Sequence, residues 1–316
     1  MDNLTHSLVG ALIGQMGLKR KTGLAMPTLI IAANIPDIDA AAVLLGGHQH
    51  LAFRRGITHG PIAMVVLPLL LWAAMLWFDA WQTKRGKRPE KRLPIHKGWL
   101  LALAYIGTLS HPAFDWLNSY GIRLLEPFSS QWFYGDSIFI VDIWLWIALI
   151  AGVWISLRRE RSATPNWRTP AIAGFAAICA YIFANGLITG RVEANAARAL
   201  QSDFGVTADM VVANPVPVQF WQREILWRGE GRYGTGYAGY GFNGTFQEIE
   251  DNQAQHNQNS AAASSAKADP NARAFLFWSR MPVVTSDSKT GKIKLSDQRF
   301  SNPLVADRFT VEVTPE

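Results

Sequence analysis

Apolar residues crowd the first 192 positions of the chain and thin out sharply after them. Four runs in that first part approach the roughly 20 residues that a helix needs to cross a bilayer core: Gly60–Trp81, Gly98–Asp115, Ser137–Leu157 and Thr169–Ile188. The shorter runs His6–Leu18 and Thr22–Ile35 fall below that length and read as half-helices or a re-entrant pair. Past residue 192 the chain is polar and rich in Gly, Asn and aromatic residues, with strand-like runs at Val216–Trp227, Gly236–Phe246, Ala274–Val284, Lys292–Leu295 and Arg308–Val313. The predicted fold class is therefore an α-helical multi-pass membrane domain, residues 1–192, followed by a small, mostly β soluble domain, residues 193–316. Within the second part, Asp251–Asn271 is a Gln/Asn/Ala/Ser tract with few large apolar groups, which predicts a mobile loop near 251–271.

Charge assigns sides to this arrangement. The net charge is +6, but the basic residues concentrate in Lys19-Arg20-Lys21, in Lys84–Lys97 and in Arg158–Arg168, the loops between apolar runs. That distribution reads as membrane topology rather than as a nucleic-acid surface, and no nucleic-acid partner is expected. Cytoplasmic loops of membrane proteins carry the excess of Lys and Arg. Placing all three inside puts His6, Asp37, Asp39, His59, His111, Asp115 and everything after about residue 190 on the opposite, periplasmic side of an inner membrane. Many of the 13 tryptophans sit toward the ends of runs, as interfacial anchors do. The single cysteine, Cys179, lies inside a run, so the C-terminal part folds without an intrachain disulfide.

Against this apolar background stand four polar motifs: Thr5-His6-Ser7, Asn34-Ile35-Pro36-Asp37-Ile38-Asp39, Arg54-Arg55-Gly56-Ile57-Thr58-His59-Gly60 and His111-Pro112-Ala113-Phe114-Asp115. Ionisable groups are costly in or near a bilayer, and imidazoles with carboxylates are the ligand set of zinc or a similar divalent metal. His111 and Asp115 share a helix face at a four-residue spacing, with Pro112 predicting a kink between them. Asp37 and Asp39 offer one ligand and one cap or supporting partner, in either assignment. Arg54 and Arg55 violate the charge rule on the outer side, as an anchor to lipid phosphates or as a clamp for a substrate phosphate. Asp142 falls within an apolar run and suits a partner of a ligating histidine. His48 and His50 read as solvated reserve ligands, while His96 and His256 lie away from the motifs.

The motifs, in this order, resemble the YdjM-type family of bacterial membrane-bound metal-dependent hydrolases, from the N-terminus to about Asp142, with a weaker echo at Phe277–Val284. The ligand order is also similar to the zinc-dependent phospholipase C and single-strand nuclease superfamily. That second resemblance implies that Asp39 or Asp37, His59, His111 and Asp115 hold one ion, and that His6 helps to hold another with Asp115 bridging. Two departures stand out: those enzymes use a processed N-terminal tryptophan, where this chain has Met1, and a second downstream His-x-x-x-Asp pair, which this chain lacks.

The resulting expectation is a hydrolase of phosphoesters, of lipid or envelope origin, with one or two divalent ions, zinc by preference. Membrane lipid is the expected partner. A free carboxylate of Asp37 or Asp39 would serve as base, with Arg54 or Arg55 on the substrate phosphate. The alternative is a non-enzymatic inner-membrane scaffold or ion carrier with a structural metal.

Overall fold

The computed structural model describes residues 1–241, 244–251, 254–287, 290–301 and 306–314. The chain divides into two compact units, one of residues 1–39 and 55–184 and the other of residues 40–54 and 185–316.

The first unit is helical: α1 (Asn3–Gln15), α2 (Ala25–Ala32), α3 (Pro61–Lys84), α4 (Lys97–Trp116), α5 (Ile143–Arg161) and the opening part of α6 (Thr169–Phe204). Local chemistry sets the starts. Asp2 caps α1 by accepting from the Thr5 N–H at 3.0 Å, His96 caps α4 through Trp99, and Pro61 opens α3, where a missing N–H costs nothing. Among the described residues, α3 and α6 are long and apolar enough to cross a membrane, and α2 with the turn after it adds a third span if the bent pair is taken as one. The runs expected to form two further spans do form helices, but neither α4 nor α5 meets that measure. Polar residues of the second half of α4, Ser110, His111 and Asp115, interrupt its apolar face, and α5 starts only at Ile143 and ends in Arg158-Arg159-Glu160-Arg161.

One close approach positions the site. A Cβ on Gly107 would lie 2.5 Å from the Ala32 Cβ and 2.9 Å from the Leu29 carbonyl oxygen, so α4 meets α2 almost backbone to backbone. Such small-residue contacts suit helices in lipid, where van der Waals packing rather than the hydrophobic effect drives association. Leu29, Ala32, Leu103 and Ala104 are fully buried around the contact. His111 follows Gly107 by four residues, hence on the same face, and is delivered to the end of α2. Pro112 does not end the helix: α4 runs unbroken from Lys97 to Trp116 with the proline inside it.

In the second unit the end of α6 packs on an antiparallel sheet of order β1-β2-β3-β4, formed by β1 (Met210–Pro215), β2 (Gln222–Gly229), β3 (Arg232–Gly241) and β4 (Gly244–Ile249), with β5 (Ala254–Gln255) also pairing with β3. Val192 and Ala196 of α6 join Ala213, Ile225 and Ala238 in one apolar cluster. Arg223, fully buried, donates to Asn185 Oδ1 at 2.9 Å and to Thr189 Oγ1 at 3.0 Å, both on α6. A smaller sheet of order β6-β7-β8 comprises β6 (Pro282–Ser286), β7 (Ile293–Asp297) and β8 (Thr310–Val313).

One expectation changes here. The strand expected over Ala274–Val284 is mostly helix: α8 (Pro270–Trp278) precedes β6, because Asp269 caps it through the Asn271 and Ala272 N–H groups and Pro270 opens it. The tract 251–271 holds β5 and α7 (Ala261–Ala266), capped by Ser260, with the small residues Ala263 and Ala266 buried in place of large apolar ones.

Candidate metal centre

Asp37, His59, His111 and Asp115 each turn a ligand atom inward, and these atoms all lie within 4.8 Å of one another. Three separate segments supply them: the turn after α2, the short turn before α3, and the last turns of α4. All four side chains are buried, His111 and Asp115 completely.

Each histidine is aimed by its other nitrogen. The His111 Nδ1–H donates to the Ala33 carbonyl at 2.7 Å, which fixes the tautomer and leaves the Nε2 lone pair facing the centre, 3.6 Å from Asp115 Oδ2 and 3.8 Å from Asp37 Oδ1. His59 Nδ1 lies 2.9 Å from Thr58 Oγ1 and 3.5 Å from Asp39 Oδ2, and its Nε2 stands 3.5 Å from Asp115 Oδ2. Burial lowers the His59 pKa below its ordinary value, against the raising influence of Asp115 and Asp39, which favours the neutral ring that a metal needs.

The two aspartates separate by role. Asp37 belongs to the four-residue group, whereas Asp39 Oδ2 accepts from the Arg55 backbone N–H at 2.7 Å and from Thr58 Oγ1 at 3.1 Å, holding the loop that carries His59. That loop is over-determined. Arg55 has φ of +52°, a left-handed backbone costing a non-glycine residue about 1 kcal/mol or more, and it persists because Asp39 holds its N–H while its carbonyl accepts from the Arg123 N–H at 2.9 Å. At Gly60 a Cβ would sit 1.9 Å from the Glu126 carbonyl oxygen, so no larger residue fits directly after His59.

Asp115 is the hub. Its Oδ2 meets the Arg55 Nε at 2.8 Å as well as both ring nitrogens, and its Oδ1 faces the Met1 amine and, at 3.3 Å, His6 Nε2. His6 stacks on His111 with ring centroids 3.8 Å apart. It thus lines the site from the far side of Asp115 without joining the four-residue group. Arg55 is buried, donates to Asn118 Oδ1 at 3.0 Å and to the Gly121 carbonyl at 3.2 Å, and lies over the Tyr120 ring. Arg54 belongs to the other unit, where its N–H donates to the His50 carbonyl. Asp142 is no partner of a ligating histidine: it caps α5 through the Leu145 N–H at 2.9 Å and accepts from Tyr181 Oη at 2.8 Å.

The residues fit a metal ion. His59 Nε2 and His111 Nε2 are buried without a hydrogen bond, and such atoms are costly unless something else satisfies them. Two neutral imidazoles and two carboxylates are donors that suit zinc and comparable divalent ions.

The model of the YdjM inner membrane protein family matches residues 1–192. The chain belongs to the YdjM inner membrane protein family. The match spans the whole helical unit with all four motifs, and stops within α6, before the β-rich part. No curated protein and no solved structure matches the chain. In this YdjM family member the sequence reading missed two contributors: the Met1 amine, which is set against Asp115, and the Ala33 carbonyl, which aims His111. A backbone carbonyl has no sequence signature.

Proposed function

We propose that this inner membrane protein is a metal-dependent hydrolase acting on phosphoesters of lipid or envelope origin at the periplasmic face, with zinc as the preferred ion. The observation that carries the reading is the convergence of Asp37, His59, His111 and Asp115 within 4.8 Å, with the Nε2 atoms of both histidines left unbonded. A divalent ion held there supplies Lewis acidity toward a phosphoryl oxygen and makes water a usable nucleophile at neutral pH. Around it, Thr58 and Asp39 orient His59, and the Ala33 carbonyl orients His111. Arg55 offsets the negative charge of Asp115 and adds a fixed positive charge beside the site, where a phosphoester would gain most from it. His6, 3.3 Å from the other oxygen of Asp115, would help to hold a second ion.

A second reading, a scaffold with a structural metal, draws on the burial of all four ligands, since structural sites are closed and catalytic ones keep an open position. One experiment separates the two. Purified, metal-loaded protein is incubated with phosphomonoester and phosphodiester lipids, and turnover that chelation abolishes and zinc restores supports the hydrolase. Full metal occupancy without turnover of any of them rejects it in favour of the scaffold.

The periplasmic assignment has its own check. A reporter fused after Gly205, at the end of α6, is expected to read as periplasmic and one fused after Gly86, between α3 and α4, as cytoplasmic. The reverse pattern would place the site on the other face.

A further inference from the structure

A groove of about 760 Å³ lies in the second unit between α6 and the β3–β4 hairpin, and its described lining residues all fall within 185–316. Its walls differ in character. Arg191, Asn195 and Arg198 stand on α6, whereas Tyr240 and Phe246 come from the hairpin, and Leu187 closes the end nearer the apolar part of α6. No Asp or Glu is among the described lining residues. Arg191 and Arg198 are exposed and seven residues apart, two helical turns, hence on one face. The Arg191 side chain makes no hydrogen bond or ion pair among the described residues, while Arg198 donates to Asn195 Oδ1 at 2.6 Å. Leu187, Tyr240 and Phe246 are large side chains left 54%, 40% and 42% exposed.

Helix length bears on the depth of this groove. The apolar part of α6 from Thr169 to Gly190 is about 33 Å long at 1.5 Å per residue, close to the roughly 30 Å of a hydrocarbon core. A span that begins at Thr169 would therefore end beside Arg191 and bring it to the lipid headgroups. A soluble anion would need only the guanidinium groups. An anion joined to an acyl chain also explains the apolar wall beside them, since guanidinium forks match phosphate oxygens and exposed aromatic rings suit the bilayer interface.

We propose that this groove is a binding site for the headgroup of an anionic phospholipid, with the phosphate between Arg191 and Arg198 and the glycerol and upper acyl carbons along Leu187, Tyr240 and Phe246. The proposal rests on α6 crossing the membrane and is independent of the hydrolase reading.

The test is lipid retention by the full-length protein. Detergent-purified protein is equilibrated with phosphatidylglycerol or with phosphatidylcholine, and bound lipid is counted by native mass spectrometry. Phosphatidylglycerol is expected to be retained in preference to phosphatidylcholine, and the R191Q/R198Q double variant is expected to lose roughly thirtyfold in its apparent affinity. A second variant, Gly190→Phe, blocks the groove without altering charge. A Cβ at Gly190 meets nothing within 4 Å, so the ring enters the open groove without disturbing the helix, and retention is again expected to fall. Unchanged phosphatidylglycerol retention in both variants overturns the site. Displacement of the lipid by millimolar inorganic phosphate overturns the lipid in favour of a free anion.

Discussion

Replacing Asp115 with asparagine is expected to remove nearly all bound metal and to be the most damaging single change in the helical unit. Both of its oxygens are in use: Oδ2 faces Arg55, His59 and His111, and Oδ1 faces the Met1 amine and His6. An amide keeps the shape but loses the negative charge that draws these groups together. Loss of an outer partner of a metal site lowers affinity about 10–100-fold, and loss of a central carboxylate exceeds that. The same change leaves the buried Arg55 cation without its ion-pair partner, a penalty of about 3–5 kcal/mol in comparable buried pairs and a large part of a domain's net stability. Metal per chain after dialysis, measured beside a His96→Ala control, is the readout. His96 caps α4 far from the centre in sequence, so that control should match the parent. Separate measurement of membrane insertion tells loss of metal from loss of fold. Metal content equal to the parent in a folded Asp115→Asn chain would sink the site.

The second large effect lies in the β-rich unit. Asp297 and Arg299 form a fully buried, two-pronged pair, with Nε to Oδ1 at 2.9 Å and Nη2 to Oδ2 at 2.8 Å, and Asp297 also accepts from Ser279 Oγ. Asp297→Ala removes the carboxylate that pairs with a buried guanidinium and is expected to cost about 3–5 kcal/mol. Hydrogen exchange should quicken over β6, β7 and β8. Exchange rates there equal to the parent's would reject the assignment. The pair also predicts a pH dependence. Burial alone would raise the Asp297 pKa, but the Arg299 charge and the hydrogen bonds from Arg299 and Ser279 outweigh it and hold the pKa below its ordinary value of 3.8. A folded-state pKa lowered in this way contributes stability that is complete above the unfolded value and is lost as pH falls through the folded one. The deficit of the Asp297→Ala variant relative to the parent is therefore largest near neutral pH and shrinks under strong acid. A deficit that grew on acidification would contradict it.

Much of the helical unit was legible because helix formation in an apolar chain is written locally. The runs around Leu67, Leu103, Leu149 and Ile178 each became a helix near the expected place, with the starts of two shifted to His96 and Asp142 where a side chain could cap. The β-rich part was less legible. Phe275-Leu276-Phe277-Trp278 has the composition of a strand, and only the Asp269-Pro270 start marks it as a helix. β1 lay unread in Met210–Pro215, whose pairing with β2 is decided by register between distant residues rather than by its own six.

The sequence by itself determined which groups are present and in what order: an early histidine, two aspartates, a histidine before a helix, and His-x-x-x-Asp, together with the family that shares them. His111 and Asp115 were paired in advance because a four-residue spacing on a helix is a local fact. Which aspartate faces the centre was not. Asp37 and Asp39 are two residues apart in one short turn, and only the packing of that turn against the end of α4 and the loop carrying His59 sends one inward and the other to Arg55 and Thr58. The same holds for Arg55, which the charge pattern marked as an outer cation and which tertiary contacts with Asn118, Tyr120 and Asp115 bury as a fixed counter-charge. The physical reason is common to all of these: propensity and periodicity act over a turn or two of chain, whereas a site assembled from residues 37, 59, 111 and 115 exists only where close helix contacts such as that at Gly107 bring distant segments together.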